Sequence, residues 1–455
     1  MLRSALPTET PPKAPLMLGL STGAFTICFA AWTIFSIIGL KIQQEHGLSE
    51  TQLGLLLATP ILTGAVSRIF LGILCEKYGG RLLTTLMMLA SAVSIWLLTF
   101  AGTFPLILVA ALGIGLAGGT FITGVTFTSH WFPKEKQGTA LGIFGMGNAG
   151  AGLTNFGAPL LLVAMDWQST ALVYAVVMAV AAILFWLLTQ DDPATRARRS
   201  GELTGATLRE QLDPLRHLQV WRFGLYYFFV FGAFVALASW LPRYYTGRYE
   251  LSIAAAGTLA ASYSLSASLF RALGGWMSDK WGARTVMYWT FGVSLVCLFI
   301  LSYPSTGYVV NGIREPLEFS MSMPVTGFIV IAFILGFVMS LGKAAVYKHI
   351  PVYYPNNVGS VGGMVGMIGG LGGFFLPIVF GLLNDLTGIW TTPFMFLFLV
   401  VAISMTWMHV AILKAERRKY PDLRRLRDLP EAVPRDREMM MNPETLASPP
   451  RRGAG

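Results

Sequence analysis

The sequence predicts an all-α membrane protein in which twelve transmembrane helices form two six-helix, pseudo-symmetric halves. Of the 455 residues, 54% are apolar and only 12% are charged. That is too little charge for the surface of a soluble protein of this length. Runs of about 20 apolar residues, each long enough to cross roughly 30 Å of hydrocarbon, recur along the chain. One charged motif also occurs twice in register, which predicts an internal duplication.

The polar segments divide the chain. Residues 1–15 are polar and proline-rich, and the apolar run that follows is too long for a signal peptide, whose apolar region spans about 7–15 residues. Polar linker 190–219 separates half 16–189 from half 220–414, and tail 415–455 has a composition typical of disorder. The predicted spans are 16–41, 52–75, 82–102, 104–131, 138–164, 168–189, 220–245, 253–277, 285–303, 323–350, 358–383 and 390–413.

Basic residues predict the orientation. Most of those near the spans lie in loops on one side, which the positive-inside rule assigns to the cytoplasm. We therefore expect a multi-pass protein of the cell inner membrane with both termini cytoplasmic. The net charge of +10 then reflects orientation, not nucleic-acid binding. The basic residues on this side include Lys77, Arg81, Lys134, Lys136, Arg196, Arg198, Arg199, Arg209, Arg216, Lys280 and Arg284.

The repeated motif follows spans two and eight. Arg68, Gly72, Glu76, Lys77, Gly79 and Arg81 match Arg271, Gly275, Asp279, Lys280, Gly282 and Arg284, with every pair 203 residues apart. The pattern resembles the cytoplasmic loop signature of the major facilitator superfamily over residues 16–414. This resemblance implies the major facilitator fold, and a loop that gates the cytoplasmic side through Glu76, Arg81, Asp279 and Arg284.

Charges within the apolar spans indicate function, since a charge in hydrocarbon is costly. Arg68 and Arg271 each lie eight residues, or about 12 Å, from the carboxylate that ends their span. No Asp or Glu lies well inside any span. Two matched cations without a fixed counter-ion favour an anionic substrate, and planar guanidinium suits a planar oxyanion. Larger anions are compatible with the same charges.

Lys343 is a third intramembrane cation, eight residues before Pro351 in span ten. Alignment of Pro133 with Pro355 places Lys343 opposite Phe121 of the other half. With no intramembrane carboxylate available, Lys343 is the candidate proton carrier, because a lysine in an apolar site beside two arginines can release and regain a proton. A structural alternative is a cation neutralised by backbone carbonyls or by a helix dipole.

Three stretches resemble the nitrate/nitrite porter (NarK-type) family. They are Gly118–Phe121 continued through Phe132–Gly142 to Asn148, the glycine-rich run 359–373, and Tyr227 with Phe231 ahead of Arg271. The resemblance implies that Arg68 and Arg271 bind the anion's oxygens. It also implies that Phe121 and Phe231 sandwich the flat anion, with Tyr227 and Asn148 as further polar contacts. Taken alone, the two phenylalanines would be interpreted as core residues.

The residues around Lys343 resemble the proton-coupled branch of that family. The expected function is therefore secondary active transport of nitrate, and of nitrite, by nitrate/proton symport. Nitrate/nitrite exchange and transport of another small anion are the alternatives. We expect a monomer that is not an enzyme and that has no cofactor or metal, because no nucleophile–base pair, metal cluster or nucleotide loop stands in a suitable setting. The three cysteines show no metal-ligand spacing.

Overall fold

The computed structural model describes residues 9–200, 216–353 and 358–419, and within them the chain is overwhelmingly helical. Eleven helical runs in this part are long and apolar enough to cross a membrane. They coincide with eleven of the twelve predicted spans. These runs are Ala14–His46, Glu50–Gly72, Gly80–Leu98, Phe104–Ser129, Trp167–Leu188, Leu218–Tyr249, Ile253–Trp281, Ala283–Leu301, Val325–Ile350, Val361–Thr387 and Thr392–Lys414.

The fifth predicted span is also helical, but it is divided. An α-helix over Lys134–Gly145 passes into a 3-10 turn at Met146–Ala149 and then into a second α-helix, Gly150–Ala164. Neither α-helix alone has the length of a span, but the three pieces are continuous. Glycines at both junctions remove side chains that would resist tightening of the backbone.

Four other spans also change helix geometry near mid-length. Span one breaks between Trp32 and Phe35, span four at Gly115, and span eight at Phe270. Span seven contains a π-helical segment, Phe228–Ala233, between two α-helices. The full helix bounds are Ala14–Trp32, Phe35–His46, Glu50–Tyr78, Gly80–Leu98, Phe104–Ile114, Leu116–Ser129, Trp167–Leu188, Leu218–Tyr227, Phe234–Tyr249, Ile253–Leu269, Arg271–Trp281, Ala283–Leu301, Val325–Tyr353, Val358–Thr387 and Thr392–Lys419.

The two halves meet most closely along spans two and eleven, where glycines allow backbones to touch. A β-carbon on Gly54 would lie 2.3 Å from the carbonyl oxygen of Pro377, and one on Gly381 would lie 2.2 Å from that of Glu50. Small residues at such contacts allow membrane helices to pack closely. Close packing matters because lipid provides no hydrophobic driving force for helix association. Side chains near mid-span therefore project into an interface shared by both halves.

One short connection in this helical bundle contains β-structure, which the apolar pattern did not indicate. Between spans nine and ten the chain forms an antiparallel hairpin of strands β1 (Thr306–Asn311) and β2 (Pro316–Met321). Asn311-Gly312 is a common turn sequence, and a β-carbon on Gly312 would lie only 2.5 Å from the carbonyl oxygen of Glu315. We call the end of the bundle that carries this hairpin the hairpin side.

The opposite end is the linker side, because it holds the described part of linker 190–219. That part contains the short helix Pro193–Arg199, and span seven begins at Leu218. Asp192 shares a hydrogen bond of 3.0 Å with His130 and accepts two from Thr195. Burial would raise the pKa of Asp192, but the hydrogen bond and charge of His130 and the bonds from Thr195 hold it below its ordinary value. The linker is thereby docked on span four.

The matched loops of the repeat adopt the same conformation. Gly79 has φ +88° and Gly282 has φ +86°, values that favour glycine, and each amide donates to the carbonyl four residues earlier. The final helix runs to Lys419, a few residues beyond the predicted boundary of the tail. The rest of the predicted tail, 420–455, lies outside the described residues, as do 1–8 of the N-terminal segment and 201–215 of the linker.

Candidate functional site

Arg68 lies near the middle of span two and is 1% exposed. Its Nη1 donates to the carbonyl of Gly366 at 2.8 Å, and its Nε and Nη2 both contact the carbonyl oxygen of Gly118 at 3.4 Å. Gly118 belongs to the N-terminal half and Gly366 to the C-terminal half. Arg68 therefore binds backbone from both halves at their interface.

Arg271 occupies the matching position in span eight, where it is the first residue after the break at Phe270. It is 5% exposed, and its Nη1 is buried without a hydrogen-bond partner among the described residues. A β-carbon on Gly145 would lie 2.9 Å from the Cζ, Nε and Nη1 of Arg271. The glycine of span five therefore makes room for this guanidinium.

The two guanidiniums face a common ring. Cζ of Arg68 lies 5.1 Å from the centroid of Phe121, and Cζ of Arg271 lies 6.0 Å from it. In the described parts of the chain, neither arginine forms an ion pair with a carboxylate. The site thus concentrates buried positive charge, which proteins ordinarily neutralise with a carboxylate.

Phe121 and Phe231 stand on opposite halves with their rings roughly stacked. Their centroids are 6.4 Å apart at an interplanar angle of 28°, and both side chains are buried. Cζ of Arg68 lies 5.4 Å from the centroid of Phe231, so this guanidinium lies beside both rings. A planar guest between parallel rings needs about 7 Å, twice a carbon contact distance of roughly 3.5 Å. The observed spacing is within about 1 Å of that requirement.

Tyr227 and Asn148 bring polar groups to the same region of the bundle. The ring of Tyr227 stacks on Phe231 at 5.0 Å and 4°, and its hydroxyl lies near the side chains of Arg271 and Tyr347. Asn148 lies in the 3-10 turn of span five, fully buried, and both of its amide atoms lack hydrogen-bond partners among the described residues. Buried polar atoms are normally bonded, so the amide of Asn148 is available to a guest.

Two further aromatic residues line the site and were not predicted from the sequence. The ring centroid of Trp32 lies 5.6 Å from Cζ of Arg68, and the Nε1 of Trp32 donates to the carbonyl of Pro60 at 2.8 Å. Tyr347 lies 5.8 Å from Cζ of Arg271 and packs edge-on against Phe121 and Tyr227. An available signal for Tyr347 was its spacing of one helical turn from Lys343.

Lys343 is fully buried in span ten, and its Nζ has no hydrogen-bond partner among the described residues. The ammonium lies 3.5 Å from the centroid of Phe234, over the face of the ring. It is also close enough to Arg271 for the two charges to interact. Lys343 is therefore not neutralised by hydrogen bonds to carbonyls of the described residues. Its ammonium instead makes a cation–π contact with the ring of Phe234.

The residues expected to form the gating loop contact several different parts of the molecule. Arg81 donates to the carbonyl of Trp186 at 2.6 Å and lies 3.9 Å from Asp191, so it contacts its own half and the start of the linker. Asp279 is paired with Lys348 of span ten. Arg284 is buried beside a cavity of about 310 Å³ that Arg222 also lines. The side chain of Glu76 lies outside the described residues.

Direct polar contacts between the halves occur on the hairpin side. Arg243 of span seven binds Glu50 of span two, with Nε 3.0 and 2.9 Å from the two carboxylate oxygens and Nη2 also in contact. Asp385 of span eleven accepts from the backbone amides of Glu50 at 3.2 Å and Thr51 at 2.8 Å, and from the Thr51 hydroxyl. This carboxylate caps the N-terminus of span two, where the helix dipole favours negative charge.

Comparison with known proteins identifies the family. A model of the Major Facilitator Superfamily matches residues 20–313 and 251–447. The probable nitrate/nitrite antiporter NarK1 of Thermus thermophilus is 42% identical over 89% of this chain and 93% of that protein. The nitrite extrusion protein of Bacillus subtilis (strain 168) is 28% identical over 87% and 94%, and the probable nitrate transporter NarT of Staphylococcus carnosus (strain TM300) is 31% identical over 87% and 96%.

A solved structure confirms the fold independently. A bacterial homolog of the human lysosomal transporter Spinster, in an inward-facing and occupied conformation, superposes with a TM-score of 0.66 over 88% of this chain and 97% of that one, at 14% identity. The predicted fold class and the predicted family are both confirmed. With its apolar helical spans and these relatives, this chain is a multi-pass membrane protein and a member of the nitrate/nitrite porter family of the major facilitator superfamily.

Proposed function

We propose that this protein transports nitrate, and nitrite, across the cytoplasmic membrane. The observation that carries the proposal is the pair Arg68 and Arg271, both buried and both facing Phe121 without a carboxylate partner in the described chain. Such a site balances its charge by taking an anion. The names of the relatives, which include nitrate and nitrite transporters, favour these two ions among small anions.

Each side chain has a distinct task in this proposal. Arg68 and Arg271 bind the oxygens of the anion by charge-assisted hydrogen bonds. Phe121 and Phe231 contact its two faces and exclude water, which strengthens those bonds. Tyr227 and Asn148 supply neutral polar contacts, which suit a substrate with three oxygens.

Alternating access follows from the placement of the site between the halves. The hairpin side is closed by Arg243–Glu50 and by Asp385 on span two. We propose that these contacts break when the carrier opens to that side, and that the linker side faces the cytoplasm with both chain termini. The loop residues Arg81, Asp279 and Arg284, together with Glu76, belong to the gate on the linker side.

We propose proton symport as the transport mode, with Lys343 as the proton carrier. Its ammonium is buried, lacks a hydrogen bond to the described protein and is near Arg271. Binding of an anion to Arg271 would favour protonation of Lys343, and departure of the anion would favour release of the proton. Exchange of nitrate for nitrite is the second candidate, because a relative that is 42% identical is named an antiporter.

Uptake of labelled nitrate into proteoliposomes tests the proposal. One arm imposes an inside-alkaline pH gradient, a second loads nitrite inside without a gradient, and a third has neither. Uptake driven by the gradient supports symport, whereas uptake driven only by internal nitrite supports exchange. A small carboxylate that outcompetes nitrate, or an absence of uptake in every arm by folded protein, would overturn the substrate assignment.

The variant Lys343→Gln tests the proton carrier. We expect gradient-driven nitrate accumulation to be lost, because glutamine fills a similar volume but cannot carry a proton. Nitrate binding, measured by calorimetry, should persist because Arg68 and Arg271 are intact. Lys136→Gln, an exposed change at the start of span five, serves as the matched control. Accumulation by Lys343→Gln at the rate of that control would show that the proton takes another route.

A further inference from the structure

The hairpin between spans nine and ten has two chemically different faces. Its register pairs Tyr308 with Phe319 and Val310 with Leu317, and alternation along each strand places these side chains on one face. The opposite face carries the polar residues Asn311, Glu318 and Ser320, together with Gly307, Val309 and Pro316. The hairpin is therefore amphipathic across its thickness.

The apolar face is uncovered by the described protein. Leu317 is 62% exposed, Phe319 48%, Val310 46% and Met321 52%. The rings of Tyr308 and Phe319 stack on each other at 5.3 Å, and Tyr308 is half-buried. Ile313 at the tip is also fully exposed. Continuous apolar exposure of this kind marks a contact surface.

The base of the hairpin is held firmly to the bundle. Arg248 at the end of span seven donates to the Ser305 hydroxyl, and Tyr249 donates to the carbonyl of Met323 at 3.1 Å. Span nine ends at Leu301 and span ten begins at Val325, only a few residues from each strand. The hairpin is thus fixed at the level where the helices leave the hydrocarbon.

These observations favour the bilayer interface as the occupant. Val296 and Phe299, in the last turns of span nine, are 60% and 65% exposed and belong to the lipid-facing surface that leads towards the hairpin. Aromatic residues prefer the headgroup level, where Tyr308 and Phe319 would lie. The face measures roughly 20 Å by 10 Å from six-residue strands, far below the roughly 800 Å² per partner of a stable protein interface.

We propose that strands β1 and β2 lie on the membrane surface of the hairpin-side leaflet, with Tyr308, Val310, Leu317 and Phe319 inserted among the lipid headgroups and Glu318 facing water. The inference is independent of the transported ion. It makes the connection between spans nine and ten an interfacial anchor for the C-terminal half.

Two single-cysteine variants test it directly. Phe319→Cys and Glu318→Cys are neighbours on one strand that point to opposite faces, so each serves as the control for the other. The native Cys28, Cys75 and Cys297 are buried and would be changed to alanine. Each variant is labelled with the environment-sensitive fluorophore NBD and placed, one protein per disc, in nanodiscs of phosphatidylethanolamine and phosphatidylglycerol.

We expect NBD at 319 to emit further to the blue, to be quenched by lipids with a headgroup nitroxide, and to resist aqueous iodide several-fold better than NBD at 318. Tyr308→Cys and Val309→Cys should repeat the contrast on the partner strand. Equal iodide quenching at both faces would overturn the proposal. So would a blue shift at 319 without nitroxide quenching, which indicates burial against protein, or one that appears only with two proteins per disc, which indicates a second copy.

Discussion

Arg68 and Arg271 occupy matched positions, yet their surroundings differ. Arg68 is tied to the carbonyls of Gly118 and Gly366, whereas Nη1 of Arg271 lacks a partner in the described chain. A donor that is already bonded to backbone gains less from a guest than one that is buried and unsatisfied. We therefore regard Arg271 as the stronger ligand and Arg68 as the residue that holds the two halves around the substrate.

A glycine pair in span five tests the position of Arg271. In Gly145→Ala the new methyl would lie 2.9 Å from the guanidinium, which must move because it is the flexible partner. Loss of one charge-assisted hydrogen bond, about 1.5–3 kcal/mol, should raise the KM for nitrate roughly 10- to 100-fold. Uptake kinetics in proteoliposomes measure this.

Gly142→Ala is the matched control, since its β-carbon would meet nothing closer than the Cα of Ala272 at 3.9 Å. It lies less than one helical turn away and carries the same change in helix propensity. Similar KM values for the two variants would mean that the position of Arg271 does not determine affinity.

The arginines and Lys343 could be found from sequence because a charge in an apolar span is conspicuous. Their aromatic neighbours Trp32 and Tyr347 could not be found in this way, because aromatic residues are common in spans. Only the fold shows which of them face Arg68 and Arg271. Asn148 could be identified only through the family resemblance, since a lone asparagine inside an apolar span would otherwise be interpreted as a packing residue.

At the scale of elements, the site coincides with irregular helix geometry. Phe231 lies in the π-helical segment, Asn148 in the 3-10 turn and Arg271 directly after a break. π-helical segments are frequent at functional sites, because the altered turn redirects side chains and releases backbone bonds. These breaks could not be predicted here, since Phe270 and most of Phe228–Ala233 are ordinary helix residues. The hairpin does not follow from the apolar pattern, because residues 304–322 lie between two apolar runs and contain none of their own.

The contact between Glu50 and Arg243 is the element whose loss should open the hairpin side. Its two side chains are 17% and 22% exposed, so we expect Glu50→Gln to cost about 1 kcal/mol, or roughly a fivefold larger open population. Hydrogen–deuterium exchange should then quicken in residues 50–58 and 377–387, while the Gly79 and Gly282 loops stay unchanged.

Glu45→Gln provides the comparison on the same side of the bundle. It removes the charge from the acceptor of a 2.8 Å hydrogen bond that Trp167 donates within one half, so that a neutral amide oxygen replaces a carboxylate. It should leave exchange at the seam between spans two and eleven unaltered. If Glu50→Gln has no greater effect at that seam than Glu45→Gln, the ion pair does not hold the halves together.

For the whole molecule, the proposed orientation rests on the distribution of basic residues. It places the linker side in the cytoplasm and the hairpin outside. We expect a membrane-impermeant maleimide to label Ser320→Cys in intact cells and to leave Ser200→Cys unlabelled until the membrane is broken. Both positions are exposed, so access alone separates them. The reverse pattern would invert the topology.

The mid-membrane arginine pair also has a consequence for the kinetics of the whole cycle. A carrier that reorients without its anion must enclose two neighbouring guanidiniums with no counter-ion between them in a medium of low dielectric constant, whereas a bound anion pairs directly with both. The unloaded return should therefore be the slow half of the cycle. Countertransport assays should therefore show faster influx of labelled anion when unlabelled anion is present on the opposite side of the membrane. Return of the empty carrier should be slow by comparison.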